Sequence, residues 1–303
     1  MNPYGKAYSP VLCIKRNMPD WALGGDGGEM TETPDVPPGV DPDTPSPARL
    51  YDYFLGGTNN FPVDRQAGEM LKAAVPDIID AMWANRGFHG RAAVWMAAHG
   101  IRQFIEVGSG LPTQYNTHEA VQRVAPGARV VYVDHDPMVA ARSAPLLARD
   151  GTTTLVTADW REPDTVLGHP QMRQLIDFAE PAGVLMTTLT HFAPDALDPW
   201  GLVARYMKAV APGSYLALSH GTYDKIPPSQ IQAGVDTFAK ATRHVHLRSK
   251  AEVERFFDGL ELVPPYEDAG RVITYAGLWG AVDIEAADSE GSRGIYCGVA
   301  RRP

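Results

Sequence analysis

Short apolar runs alternate with longer amphipathic stretches over residues 85–221. Each of five runs is brief and rich in apolar or β-branched residues, which predicts a strand. The stretches between them carry apolar residues at helical spacing, as at Phe88, Ala92, Trp95 and Met96, before the stop signal Gly100. The five runs are RQFIEVGSG, ARVVYVDHD, TTTLVTAD, AGVLMTTLTHF and SYLALSHG. This alternation predicts a Rossmann-like, doubly wound α/β fold with a mostly parallel sheet.

Helix start signals agree with this pattern. Aspartate–proline pairs at 136–137 and 198–199 each place a capping carboxylate before a proline that suits a first helical turn. A helix is also expected at about 113–125. Ser249 and Glu252 form a capping box at the start of SKAEVERFFDGLELV, which predicts a helix and then a short strand. The stretch at about 265–292 is looser, and GIYCGVARR predicts a last strand.

The first 45 residues differ from the rest in composition. Prolines, glycines and acidic residues dominate the stretch 19–47. Such a stretch buries too little apolar surface to offset the entropy lost on ordering. We therefore predict a disordered leader over residues 1–45 and one domain over residues 46–303.

Composition narrows the range of partners. The net charge is −9, so the chain repels phosphate backbones and nucleic acid is not an expected partner. No apolar run is long enough to cross a membrane, and no secretory signal is expected. Cys13 and Cys297 are the two cysteines of the chain, and they suit a reducing compartment. A cytoplasmic location is predicted.

The first predicted strand runs into a glycine turn, EVGSGLPT. Gly108 and Gly110 let the backbone approach a ligand closely, and Ser109 lies between them. The NAD fingerprint needs a third glycine where this chain has Thr113. Glu106, two residues before the first glycine, would repel a pyrophosphate but attract a cation. S-adenosylmethionine, which has a sulfonium, an ammonium and no phosphate, fits this pattern.

The next two predicted strands also end in acids. Asp134 can accept hydrogen bonds from both ribose hydroxyls, and Asp159 can accept one from an adenine amino group. Trp160 or Met138 could pack on the face of the adenine ring. Each aspartate taken alone could instead cap the helix that follows it. Three acids in this order on successive strands favour a nucleoside cofactor. His135, beside Asp134, and Thr190, at the end of the fourth strand, are further candidate binding residues.

Together these motifs resemble the class I S-adenosylmethionine-dependent methyltransferases. Several longer stretches resemble more narrowly an actinobacterial S-adenosyl methyltransferase family, formerly a domain of unknown function. They are ARLYDYFLGGTNNFPVDR, NRGF, IRQFIEVGSGLPT, ARVVYVDHDP, HFAPD, APGSYLALSH and RFFDGLELV. The resemblance covers residues 46–303. It implies a seven-stranded sheet with an antiparallel last strand, and methyl transfer to an unidentified small molecule.

The segment before the first strand has two interpretations. It can be a lid over about 46–85, since such segments often close over the cofactor in class I methyltransferases. Alternatively, it is an amphipathic helix packed on the sheet, with asparagines that serve a turn. In the lid, a short helix ends at Gly56–Gly57, and the ligand is faced by Tyr51, Asn59, Asn60 and Asp64. Arg86, at a helix start opened by Asn85, could pair with the ligand's carboxylate or lie in solvent.

Methyl transfer from a sulfonium needs an aligned nucleophile and exclusion of water, and a base only if the nucleophile must lose a proton. His191, His220 and Tyr223 follow the fourth and fifth strands and are the candidate catalytic residues. Each histidine could equally be structural. No metal site is predicted, because His244 and His246, on a probable strand, have no ligand beside them. Two other functions stay open: a protein that senses S-adenosylmethionine without methylating, and a nicotinamide oxidoreductase.

Overall fold

The computed structural model describes residues 34–112, 116–147, 151–225, 235–240 and 244–303. Within these residues the sheet has the order β3-β2-β1-β4-β5-β8-β6, and β7 also pairs with β8. The strands are β1 Gln103–Val107, β2 Arg129–Asp134, β3 Thr153–Thr157, β4 Gly183–Thr187, β5 Tyr215–Gly221, β6 Glu261–Leu262, β7 Thr274–Tyr275 and β8 Ile295–Arg301. β1 to β5 are parallel, and β8 is antiparallel to β5. The strand order therefore reverses between β1 and β4, where a ligand crevice is expected.

Helices cover both faces of this sheet. On one face α3 packs across β4, β5 and β8 through Phe88, Ala92 and Met96. On the other face α8 contributes Val203 and Met207 to the larger apolar cluster. The helices are α1 Pro47–Phe54, α2 Pro62–Ala74, α3 Ile78–Ala98, α4 Thr117–Gln122, α5 Pro137–Leu147, α6 Pro163–Gly168, α7 Pro170–Leu175, α8 Pro199–Ala209, α9 Lys250–Glu254 and α10 Ile284–Ala287, and residues 235–240 are also helical. The doubly wound α/β prediction is confirmed. No helix in the described part of the chain combines the length and the apolarity needed to cross a bilayer.

The last strand is antiparallel, as expected, but the described sheet has eight strands rather than seven. β6 and β7 lie along the same edge of β8, because β5 occupies the other edge. Leu262 is opposite Ala300, and Tyr275 is opposite Tyr296. β7 is two residues long, so it leaves no alternating pattern in the loose stretch 265–292.

Part of the predicted leader contacts the domain. Residues 1–33 lie outside the described residues, as do Thr113 and the rest of 113–115. Val40 packs against the apolar cluster that contains Phe61 and Met138. Arg49 Nη2 donates to the carbonyl oxygen of Asp41 at 3.2 Å. The packed chain thus includes residues before position 46.

The segment between α1 and α2 is organised by buried carboxylates. Asp52 Oδ2 accepts hydrogen bonds from the Asn59 amide at 2.9 Å and from Asn60 Nδ2 at 2.8 Å. Burial raises the pKa of Asp52 to about 6, against the lowering effect of these two donors. Asp64 accepts from Arg49 Nε at 2.7 Å, and neither side chain of this ion pair is more than 3% exposed. This polar framework explains why a short helix, a glycine pair and two asparagines stand together in the sequence.

Gly57→Ala is expected to destabilise the protein by about 1–3 kcal/mol, because a buried hydrogen-bond group would lose its partner. A Cβ at position 57 would lie 2.0 Å from Asp52 Oδ1, so the carboxylate would have to leave its two asparagine donors. Urea denaturation measures the change. The control is Gly90→Ala in α3, where a Cβ meets nothing within 4 Å and alanine favours the helix. Equal stability of Gly57→Ala and the unmodified protein would contradict the role given to Asp52.

Candidate functional site

The glycine turn after β1 is fixed against the end of β2. The amides of Gly108 and Ser109 donate to the Val133 carbonyl oxygen at 2.8 and 3.1 Å. Gly108 has φ +71°, and a Cβ there would lie 2.5 Å from a methyl of Leu189. Glycine is therefore required at this position for both its conformation and its space. The turn leaves bare backbone at the carboxyl end of the sheet.

Glu106 carries a buried acceptor that has no partner in the described part of the chain. Its Oε1 lies 3.5 Å from His89 Nε2, while Oε2 has no hydrogen-bond partner among the described residues. Burial raises the pKa of Glu106 to about 7, although the charge of Arg86 and a hydrogen bond from Thr117 oppose the rise. Buried polar atoms normally have partners. An unpaired carboxylate oxygen here fits a ligand that brings a cationic donor.

Asp134 joins the glycine turn to the start of α5. Its Oδ2 accepts from the Gly110 amide at 2.8 Å, and its Oδ1 accepts from the Asp136 amide at 3.0 Å. Burial raises the pKa of Asp134 against these two hydrogen bonds. A carboxylate oxygen can accept more than one hydrogen bond, so each oxygen retains capacity for a ligand hydroxyl.

Asp159 forms a bidentate ion pair with Arg161. Arg161 Nε lies 2.9 and 3.0 Å from the two carboxylate oxygens. Burial would raise the pKa of Asp159, but the hydrogen bonds and charge of Arg161 outweigh it, and the pKa is lowered. The next residue, Trp160, is buried, and its carbonyl oxygen accepts from the Tyr206 hydroxyl at 2.7 Å.

One cavity of about 710 Å³ brings most of the predicted residues together. It opens at the carboxyl ends of β1, β2, β3 and β4, where the sheet reverses its order. The predicted residues that line it are Tyr51, Arg86, Glu106, Gly108, Ser109, Gly110, Asp134, His135, Asp159, Trp160 and His191. The placement expected from the three strand-end acids is therefore found.

Two predicted binding residues do not line this cavity. Asn60 is fully buried, and its amide donates to Asp52 and to the Gly57 carbonyl oxygen. Thr190 is also fully buried, and its carbonyl oxygen faces Arg248 Nη1 at 3.4 Å. Asn59 and Asp64, expected to face a ligand as parts of a lid, are likewise held within the α1–α2 segment. In this segment the asparagines serve the turn, and Tyr51 faces the cavity.

His220 and Tyr223 also lie away from the cavity lining. Arg248 Nη1 contacts His220 Nε2 at 2.7 Å, and a guanidinium only donates, so this nitrogen accepts. His220 Nδ1 therefore carries the proton and donates to the Gly221 carbonyl oxygen at 2.7 Å. With both ring nitrogens engaged, His220 has no free lone pair for a substrate. The Tyr223 hydroxyl donates to Glu252 Oε2 at 3.1 Å, at the start of α9.

His191 is the candidate catalytic residue that lines the cavity. It lies in a short 3₁₀ turn, Thr190–Phe192, after β4. Its Nδ1 has no hydrogen-bond partner among the described residues. Burial, together with the charges of Arg248 and His246, lowers its pKa to about 3. A strand was expected around His246, but residues 244–249 form no strand. The backbone N–H of His246 instead donates to the His191 carbonyl oxygen at 2.7 Å and holds this turn.

A hydrogen-bond network that the sequence did not reveal lies beside the cavity. Asn85 Nδ2 donates to the Tyr51 hydroxyl at 2.8 Å and to Thr188 Oγ1 at 3.2 Å. Ser219 Oγ donates to Asn85 Oδ1 at 2.5 Å. Asn85 was expected to open a helix. It lies instead inside α3, which begins at Ile78. Its partners come from three other elements, and no local pattern connects them.

Comparison with known proteins agrees with this geometry. A family described as S-adenosyl methyltransferase matches residues 34–303. A solved DUF574 family protein from Streptomyces avermitilis is 37% identical, with a TM-score of 0.80 over 87% of this chain and 99% of that one. A solved protein from Thermobifida fusca, described as a candidate methyltransferase, is also 37% identical, with a TM-score of 0.80 over 88% and 98% of the two chains. No curated protein sequence gave a match.

The resemblance seen in the sequence is thereby confirmed, and the nicotinamide interpretation is set aside. S-adenosylmethionine is the cofactor. The unpaired Glu106 oxygen suits the ammonium of this cofactor, and the bare glycine turn suits a close approach of its amino-acid portion. The chain belongs to the S-adenosyl methyltransferase family.

Proposed function

We propose that this chain transfers the methyl group of S-adenosylmethionine to a small molecule. The observation that carries the proposal is the cavity of about 710 Å³, which is lined both by the strand-end carboxylates and by apolar side chains. Its volume of about 710 Å³ lies within the range of small-molecule sites. The net charge of −9 opposes a nucleic acid as the acceptor.

Each end of the cofactor has candidate partners in this proposal. Glu106 Oε2 would accept from the ammonium, and the backbone around Gly108 would lie along the amino-acid portion. Asp134 would accept from the ribose hydroxyls. Trp160 and Asp159 would border the adenine, with Asp159 oriented by Arg161. The carboxylates and the aromatic ring thus match the donors and the flat base that they would hold.

When bound, S-adenosylmethionine supplies a methyl group already activated by its sulfonium. The chain's own task is then to orient the acceptor and to exclude water. His191 is neutral at pH 7, because its pKa is about 3, so it keeps a lone pair. A group with so low a pKa is a weak base. We therefore assign it to orienting a hydrogen-bonding group of the acceptor rather than to removing a proton ahead of transfer.

Calorimetry and labelled methyl transfer test the proposal together. We expect S-adenosylmethionine and S-adenosylhomocysteine to bind, and tritium from the labelled methyl group to enter a small-molecule fraction of cell extract. The Asp134→Asn variant, in which cofactor binding is expected to be weakened, gives the background level of label. Label found only in RNA or protein would contradict a small-molecule acceptor. Cofactor binding with no label transfer to any fraction would instead support a sensing role.

A further inference from the structure

The cavity has a second end, remote from the strand-end acids, with a different character. Its wall comes from the N-terminal helices on one side and from residues within 235–240 and 244–247 on the other. The apolar residues that line this end are Phe54, Val75, Ile78, Ala81, Met82, Val235, Phe238, Val245, Leu247 and Ile295. Burial of a ligand's apolar surface against such a wall lowers the free energy of the complex.

The charged residues at this end are exposed to solvent. Asp77 and Lys225 are exposed residues of the lining. Glu290 is also exposed, and it forms an ion pair with Arg293 at 2.9 Å. Arg86 lies where the two ends meet, because its charge opposes the rise that burial causes in the pKa of both Glu106 and Tyr51. A charged group placed among the apolar side chains would therefore lose water without gaining a buried counter-ion.

The two sides of this chamber contact each other. Phe238 is half-buried and packs against the apolar cluster of the N-terminal helices, which contains Leu50, Phe54 and Ile78. The Tyr51 hydroxyl, on the same wall, already accepts from Asn85 and donates to the Met82 carbonyl oxygen at 3.3 Å. This hydroxyl of the wall thus has partners within the protein.

We propose that the methyl acceptor is an uncharged, largely apolar molecule that binds between the N-terminal helices and the described residues of 235–240 and 244–247. This inference rests on the proposed function, because it assigns the second end of the same cavity to the acceptor. His191 and Thr188 lie where this chamber meets the strand-end acids, and they are the polar groups that would face the reacting atom.

Three naphthalene derivatives of similar size test the charge preference. The probes are neutral 1-naphthol, anionic 1-naphthoate and cationic 1-(aminomethyl)naphthalene, titrated by calorimetry at pH 7 in the presence of saturating S-adenosylhomocysteine. We expect 1-naphthol to bind at least about tenfold more tightly than either ion, because an unpaired charge loses its hydration in an apolar chamber. An ion that binds as tightly as 1-naphthol would overturn the proposal, and so would the absence of binding by all three.

A substitution in the wall locates the binding. Phe238→Ala is expected to weaken 1-naphthol binding about three- to tenfold, because one aromatic contact is lost. The affinity for S-adenosylhomocysteine should not change. The control is Val282→Ala, whose side chain is 65% exposed and does not line the cavity. An equal 1-naphthol affinity in Phe238→Ala and the control would overturn the location. Failure of S-adenosylhomocysteine to bind the unmodified protein would instead refute the proposed function.

Discussion

Glu106→Gln is expected to weaken the binding of S-adenosylhomocysteine by about 10- to 100-fold. A hydrogen bond to a charged group contributes about 1.5–3 kcal/mol, and each 1.4 kcal/mol corresponds to about a factor of ten in affinity. Oε2 of Glu106 is buried and has no partner in the described part of the chain, so the ligand's ammonium would be its first strong donor. Isothermal titration calorimetry at pH 8 measures the change.

The same substitution is expected to stabilise the unliganded protein. Burial raises the pKa of Glu106 from 4.5 to about 7, so the unfolded chain loses this proton before the folded chain does. Stability therefore falls as the pH rises from about 4.5 to 7, and the full penalty is present above pH 7. Glutamine has no charge to bury and should recover about 1–3 kcal/mol at pH 8. Urea denaturation at pH 5 and pH 8 should show a gain that is larger at the higher pH.

These two effects have opposite directions, which separates a binding role from a structural one. If Glu106 served only to pack the fold, its substitution would lower the stability of the protein. Cofactor affinity would then fall only to the extent that folding is impaired. Glu285→Gln, on an exposed turn of α10, provides the matched control and should change neither quantity. A Glu106→Gln variant that binds the cofactor normally would remove this residue from the site.

The parts of the fold that were predicted correctly are those whose burial is visible in their own run of apolar residues. β1 to β5 are apolar because helices cover both faces, and their alternation with helices sets a parallel order without knowledge of any contact. β7 was missed because two residues cannot display a period. The start of α3 was misplaced because Asn85 is a good cap by type, while its amide is held by Tyr51, Thr188 and Ser219 from other elements.

Which site residues were predicted correctly depends on whether the backbone or a side-chain partner places them. Glu106, Asp134 and Asp159 stand at or near the ends of neighbouring parallel strands, and backbone geometry alone brings those ends to one edge. Asn60 and His220 have equally suitable side chains, but their partners decide where they point. Asp52 holds Asn60, and Arg248, 28 residues along the chain, holds His220. Such side-chain pairings are set by the folded structure and have no signature in spacing.

Asp134→Asn is expected to weaken S-adenosylhomocysteine binding by about 30- to 100-fold. Both carboxylate oxygens accept backbone N–H groups, from Gly110 at 2.8 Å and from Asp136 at 3.0 Å. An asparagine must turn its NH₂ group toward one of these donors, so the glycine turn or the start of α5 loses a hydrogen bond. One acceptor for the ribose hydroxyls is lost as well, and two such losses together correspond to the expected range. Asp164→Asn, whose side chain is 88% exposed, is the control.

A second ligand distinguishes the contacts to the nucleoside portion of the cofactor from those to its amino-acid portion. Methylthioadenosine keeps the ribose and adenine of the cofactor but lacks its ammonium and carboxylate. Asp134→Asn should therefore weaken methylthioadenosine and S-adenosylhomocysteine to a similar extent, while Glu106→Gln should weaken S-adenosylhomocysteine alone. If both variants bind methylthioadenosine with the affinity of the unmodified protein, Asp134 does not contact the ribose. If both lose it equally, Glu106 acts through the shape of the turn, because a ligand without an ammonium offers its carboxylate no charge to attract.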